Sequence, residues 1–203
     1  MTKVKICGVT CLEDIQYVNH SLPDYIGLLF VAGRRRSVSP EQAALLVKKL
    51  DRRICPVGVF QNQSFSFIQT LTRAGTVKAI QLHGQESEKL ISQLQQKTGL
   101  PVIKAFSVRS PQDIQAARRS TADAVLLDGS KAGSGQTFDW SLLKDMDRPF
   151  FLAGGLTPER VPAALAWKPF ALDVSSGVET NGKKDAGKIQ TFINITRQVH
   201  KYE

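Results

Sequence analysis

Lys3-Val4-Lys5-Ile6-Cys7-Gly8-Val9 opens the chain with a short strand signal that ends on a thiol and is turned by Gly8. Far downstream, Ala124-Val125-Leu126-Leu127-Asp128 repeats the design with a carboxylate in place of the thiol. Strands that end on a reactive side chain just before a turn are how parallel α/β enzymes present chemistry to a substrate. Working outward, apolar runs recur at Val4–Cys7, Tyr25–Val31, Pro56–Phe60, Ala79–His83, Val102–Phe106, Ala124–Asp128, Phe150–Ala153 and Phe170–Val174. Most are spaced roughly 20 to 26 residues apart, with one longer gap after the second.

Helix signals lie between these runs. Ser39-Pro40-Glu41 places a capping side chain, a proline at the first helical position and an acid in the first turn. Ala43, Leu46, Val47 and Leu50 follow on one face, and Ser110-Pro111 and Thr157-Pro158-Glu159 repeat the start. Leu90, Ile91 and Leu94 mark another helix, and Ile189, Phe192, Ile193 and Thr196 a terminal one. Eight strand signals, each followed by a helix or loop, predict an α/β fold of one compact (β/α)8 TIM barrel over residues 1–203. A doubly wound open sheet would use fewer strands and a glycine-rich loop after the first, where this chain has one glycine. The chain is short for a barrel, so the Ser107–Ser120 stretch is expected to hold only a short helix.

Composition narrows the function. A chain of 203 residues buries roughly 70% of its unfolded surface, enough for a core without disulfides or structural metal. No apolar run is long enough for a membrane helix, and the first twenty residues carry no signal-peptide pattern. Cys7, Cys11 and Cys55 therefore read as reduced thiols, and the expected location is the cytoplasm. The net charge of +9 is distributed over separate short runs without interleaved aromatics. It reads as a solvated basic surface, with a local field for an anionic substrate, rather than as a nucleic-acid site.

In a barrel all strand C-termini share one rim. Cys7 is there a buried hydrophobe or a general base; a base would need positive charge nearby to bring its pKa down. Asp128 either caps the next segment or serves as an acid, with a pKa raised by burial or a neighbouring negative charge. His83 is a ligand contact, an acid or a satisfied core residue, with no second histidine at metal spacing. Asp173 reads as support for neighbouring loops. Gly133-Ser134-Gly135, Gly154-Gly155 and Ser175-Ser176-Gly177 follow the last three strands. Backbone N–H groups and serine hydroxyls there suit a phosphate. Arg36, in the loop after the second strand, offers a planar fork for a carboxylate or phosphate. No metal site and no cofactor motif is found.

Several stretches together are specific. They are Lys5-Ile6-Cys7-Gly8-Val9-Thr10, Gly58-Val59-Phe60, Gln81-Leu82-His83-Gly84, Leu127-Asp128, Gly133 to Trp140, Ala153 to Glu159 and Asp173 to Glu179. In this order they resemble the phosphoribosylanthranilate isomerases of tryptophan biosynthesis over nearly the whole chain. The resemblance implies an acid–base Amadori rearrangement of N-(5-phosphoribosyl)anthranilate, without cofactor or metal. It implies Cys7 as base, Asp128 as acid and Arg36 on the anthranilate carboxylate. It further implies phosphate binding at Gly135, Gly154, Gly155, Ser176 and Gly177, and His83, at a strand end on the same rim, is assigned to substrate contact. Three positions depart from the family pattern: Arg34, where serine is frequent; Ser37, where an aromatic is frequent; and Gln61, where an aliphatic is commoner. Related phosphate-binding barrels fit less well. An indole-glycerol-phosphate synthase needs lysines at strand ends, whereas Lys5 lies inside its strand, and a pentose-phosphate epimerase needs metal ligands.

Overall fold

Alternation along the strands decides which residues meet inside the molecule, because successive side chains on a strand point to opposite faces. A computed structural model describes residues 1–129 and 137–198. Eight strands form a closed parallel barrel in chain order, sealed where β1 pairs with β8. They are β1 (Lys3–Cys7), β2 (Tyr25–Phe30), β3 (Cys55–Phe60), β4 (Ala79–Leu82), β5 (Val102–Ser107), β6 (Ala124–Asp128), β7 (Phe150–Leu152) and β8 (Ala171–Val174). Each predicted run coincides with a strand to within a residue at either end. The TIM-barrel architecture expected from the spacing is the one observed.

The helices are α1 (Leu12–Ser21), α2 (Pro40–Lys49), α3 (Phe65–Arg73), α4 (Glu88–Thr98), α5 (Pro111–Arg119), α6 (Val161–Leu165) and α7 (Ala186–Gln198). Ser39 caps α2 by accepting from the Gln42 N–H at 3.1 Å, as its sequence signature requires. The short helix expected within Ser107–Ser120 is corrected: α5 runs nine residues, the same length as α3. The abbreviated pieces come later. After β6 the described chain has a 3-10 turn at Trp140–Asp145, and after β7 a 3-10 turn at Pro158–Arg160 leads into the five-residue α6. Beyond β8, a short hairpin pairs β9 (Glu179–Thr180) with β10 (Lys183–Lys184). Among the described residues no helix is long and apolar enough to cross a membrane.

Two cores result from the alternation. Val4 and Ile6 of β1, Leu28 and Phe30 of β2, Ile80 and Leu82 of β4, and their counterparts face outward onto the helices. The inward set includes Val57, Ala79, Ile103, Ala105, Ala124, Leu126, Phe151, Ala153 and Ala171. Its many alanines leave room at the barrel axis for larger polar side chains. Phe30, Phe60 and Phe106, although near strand ends, have the outward parity and pack in the outer layer. At the opposite end of the barrel from the rim, Lys3 Nζ lies 4.9 Å from the Phe170 ring centroid and 5.6 Å from that of Tyr25. Phe151 packs 5.6 Å from Tyr25 and 5.5 Å from Phe170.

Phe60 tests the outer layer. It is fully buried, stacks on Phe30 at 5.3 Å and meets Phe67 of α3 edge-on at 6.4 Å. Phe60→Ala is expected to lower unfolding free energy by about 3 to 5 kcal/mol through lost burial and the cavity left behind. Denaturant unfolding followed by circular dichroism measures this, and a loss below about 1 kcal/mol would show that the layer closes over the gap.

Candidate active site

Inward parity on β1 brings Lys3, Lys5 and Cys7 to one side, and Cys7 emerges at the rim. Gly27 is its register partner on β2, and a Cβ there would lie 2.7 Å from the Cys7 sulfur. The thiol thus rests over a glycine. Gly8, at φ 79°, turns the chain at once, and a Cβ on it would lie 2.5 Å from Arg36 Cδ. Ser175 Oγ donates to the Cys7 carbonyl at 2.9 Å. Cys7, Asp128, His83, Gln81, Asp173 and Arg36 together line a cavity of about 370 Å³. Cys11 stands before α1 and Cys55 at the start of β3, so neither thiol reaches this cavity.

Beneath these groups Lys5 Nζ donates to Asp173 Oδ1 at 2.9 Å, with Lys5 entirely buried. Asp173 faces the barrel axis and pairs with Lys5, rather than supporting the rim loops. Burial lowers the Lys5 ammonium's pKa, but Asp173 and Cys7 outweigh it and hold the ammonium above its ordinary value. The charges act on their neighbours with opposite signs. Asp128 is pushed up to about 6, by burial first and by the Asp173 carboxylate second. This is the direction an acid needs. The Cys7 thiol departs from expectation. Burial pushes its pKa up most; Lys5, which also hydrogen-bonds it, and Lys184 pull it down, the Asp173 carboxylate works against them, and the thiol sits above its ordinary value. The positive charge that a base requires is present; desolvation outweighs it.

His83 extends the inward register of β4 by one step. Burial and then Lys5 lower its pKa, so the ring is neutral at pH 7. Its Nδ1 lies 3.0 Å from Gln81 Nε2, and its Nε2 lies 4.0 Å from Asp128 Oδ2. With the amide nitrogen as donor, Nδ1 accepts and Nε2 carries its hydrogen toward the carboxyl.

The loops after β7 and β8 form the other wall. Gly154 and Gly155 adopt φ values of 88° and 61°, and their N–H groups have no acceptor among the described residues. A Cβ on Gly177 would overlap the Leu156 carbonyl oxygen, so glycine lets the two loops touch backbone to backbone. Gly154, Gly155, Ser176 and Gly177 all line the cavity. Gly135, the fifth expected phosphate contact, lies outside the described residues.

Arg36 lines the cavity and is held from one side. Its Nε donates to Glu179 Oε1 at 2.7 Å and its Nη2 to Glu179 Oε2 at 2.8 Å. Arg35 donates to the same carboxylate at 2.9 Å and to the Gly182 carbonyl. Of the three positions that depart from the pattern, Arg34 and Gln61 also line the cavity. Ser37 instead donates to the Val31 carbonyl and fastens the loop. Sequence reasoning misses Lys5, Gln81, Glu179 and Lys184. Counting back two residues from Cys7 and from His83 yields Lys5 and Gln81, a signal that strand parity does provide. Glu179 closes the specific stretch after β8, but its bonds to Arg35 and Arg36 span 144 and 143 positions, and Lys184 returns to it only through the hairpin, which no local pattern announces.

Comparison with known proteins agrees over nearly the whole chain. A family model described as N-(5'phosphoribosyl)anthranilate (PRA) isomerase matches residues 4–195. The N-(5'-phosphoribosyl)anthranilate isomerase of Endomicrobium trichonymphae is 41% identical, covering 98% of this chain and all of the relative. The crystal structure of phosphoribosyl anthranilate isomerase from Thermotoga maritima superposes with a TM-score of 0.90 at 38% identity, covering 98% of this chain and all of that one. A further isomerase structure, in complex with reduced 1-(o-carboxyphenylamino)-1-deoxyribulose 5-phosphate, gives 0.87 at 37% identity over the same shares.

The raised Asp128 pKa carries a stability signature. The native state holds this proton more tightly than the unfolded chain, whose carboxyl titrates near 3.8. Stability therefore falls as pH rises from about 4 to about 6, and the penalty persists above that. Asp128→Asn removes it. The variant is expected to be more stable than the parent at pH 7.5 by on the order of 2 to 3 kcal/mol, with the gain vanishing near pH 4. Denaturant unfolding at the two pH values measures the difference, and equal stabilities at pH 7.5 would contradict a carboxyl strained by burial.

Proposed function

The chain belongs to the N-(5'-phosphoribosyl)anthranilate isomerase family, and we propose how its rim divides the work of that reaction. The reaction converts N-(5'-phosphoribosyl)anthranilate to 1-(2-carboxyphenylamino)-1-deoxyribulose 5-phosphate by an Amadori rearrangement in tryptophan biosynthesis. In our reading the protonated Asp128 donates to the furanose ring oxygen as the C1–O bond breaks, and the nitrogen lone pair forms a Schiff base. That acidifies the C2 proton, which the Cys7 thiolate removes. The resulting enamine tautomerises to the ketone, with no net oxidation. The observation that carries this assignment is a carboxyl held toward its protonated form in the same cavity as a thiol beside two ammonium groups.

Arg36 receives the anthranilate carboxylate in this reading. Glu179 occupies its Nε–Nη2 edge, which leaves the Nη1–Nη2 edge as a second fork. The N–H groups of Gly154 and Gly155, with Ser176, Gly177 and Gly135, take the phosphate. The neutral His83 donates from Nε2 to the substrate beside Asp128. The chain acts as one barrel domain in the cytoplasm, on a small phosphorylated substrate and without nucleic acid. Its thiols and its scattered positive charge support that reading.

The test is the loss of phosphoribosylanthranilate fluorescence with purified protein. Cys7→Ser is expected to fold and to lose about a hundred- to ten-thousand-fold in kcat, whereas Cys11→Ser and Cys55→Ser change little. More than half the parental kcat in Cys7→Ser would remove the thiol from the mechanism. The reactive form pairs a protonated Asp128 with an ionised Cys7, and its fraction is constant between the two titrations. The pH profile of kcat/KM is therefore expected to be bell-shaped, rising to about pH 6 and falling above the ordinary thiol value of 9.0. Arg36→Met is expected to raise KM by about ten- to 150-fold with a small change in kcat, the loss of a charged hydrogen bond made in ground and transition states alike. Arg118→Met, on a surface pair with Asp147, is the control.

A further inference from the structure

We propose that Glu179 is a positioning residue for substrate recognition: it clamps the side edge of Arg36 so that the end edge stays aimed at the substrate carboxylate. The inference rests on the reading of Arg36 given above. Its geometry is independent of that reading. A guanidinium has two bidentate edges, and Glu179 takes only one of them, through bonds of 2.7 and 2.8 Å. The Glu179 side chain is 6% exposed and is itself gripped by two further cations. Arg35 Nη2 donates to Oε2 at 2.9 Å and Lys184 Nζ to Oε1 at 3.0 Å. Lys184 is 2% exposed and also donates to the Ser175 carbonyl at 2.9 Å. A carboxylate so held cannot rotate freely, and neither can the arginine it holds. Three cations bound to one carboxylate also leave two positive charges over at the cavity wall, which suits an anionic substrate.

The position of Glu179 in the chain adds a second consequence. It follows Gly177 by two residues, and Lys184 returns through the hairpin to the Ser175 carbonyl. One short segment therefore bears on both anion grips, the glycine–serine loop directly and Arg36 through Glu179. It fixes the spacing between them, and so selects a molecule with a phosphate at one end and a carboxylate at the other.

The same contacts admit an opposite role, in which the Glu179 carboxylate competes with the substrate for Arg36. The two give opposite results. Glu179→Gln removes the charge and should raise KM about tenfold or more while kcat stays within about threefold. Titration with reduced 1-(o-carboxyphenylamino)-1-deoxyribulose 5-phosphate should weaken by a similar factor, while inorganic phosphate binds within about twofold of the parent. Glu179→Asp, which keeps the charge but retracts it by one methylene, should fall between Gln and the parent. It also serves as the deciding variant if Glu179→Gln does not fold. Arg36→Met combined with Glu179→Gln should be no worse than Arg36→Met alone, since the clamp acts only through the arginine. A lower KM in Glu179→Gln, an unchanged KM in Glu179→Asp or additive effects in the double variant would each overturn the proposal. A normal KM in Arg36→Met would instead bring down the carboxylate assignment on which it rests.

Discussion

The buried pair between Lys5 and Asp173 is the interaction on which the rest of the site depends. Its partners are register neighbours on β1 and β8, the seam where the barrel closes, and lie 168 positions apart in sequence. Two charges taken out of water are tolerable only when each satisfies the other, and removing one partner alone leaves a heavily penalised ion. The pair therefore constrains the seam. It also supplies a fixed dipole at the barrel axis: Asp173 is the stronger of the two on the Asp128 carboxyl and raises it, whereas Lys5 is the stronger on Cys7 and His83 and draws them down against Asp173. On balance the pair thus acts on Asp128 and Cys7 with opposite signs, while burial leaves the thiol above its ordinary value.

Above that floor, the rim is built by subtraction. Gly27 leaves space for the sulfur, Gly8 for Arg36 and Gly177 for the Leu156 carbonyl. Each glycine allows a close approach that a methyl group would block. The inner layer of the barrel follows the same logic, with alanines from β4 to β8 surrounding the few larger polar groups. Charged side chains then complete what the backbone leaves open. Glu179, with Arg35, Arg36 and Lys184, ties the loop after β2 to the segment after β8 across the mouth.

Much of this architecture is legible in the amino-acid sequence. The eight runs, the Ser39-Pro40 helix start and the rim position of Cys7 and Asp128 follow from local pattern, because strand ends and caps are written in neighbouring residues. What escapes is written at long range. The helix within Ser107–Ser120 is longer than expected because overall chain length is a poor guide to any one segment, and the economy falls instead after β6 and β7. The direction of the Cys7 thiol depends on how much burial outweighs nearby charge, and a sequence carries no measure of that balance. Lys5 stands in plain view as a lysine inside a buried strand, yet its partner is at the other end of the chain. Phe30, Phe60 and Phe106 do lie near strand ends, and only their parity sends them away from the chemistry.

The aromatic cluster around Lys3, Tyr25, Phe151 and Phe170 has a bearing on how such a chain can change over generations. It sits at the foot of the barrel, and its contacts involve neither Cys7 nor Asp128. Substitutions that firm or loosen the foot alter the stability margin without touching the rim, while the buried charges and bare glycines of the mouth draw on that margin. A lineage moving between hot and cold habitats can therefore adapt at one end of the molecule and keep its chemistry at the other.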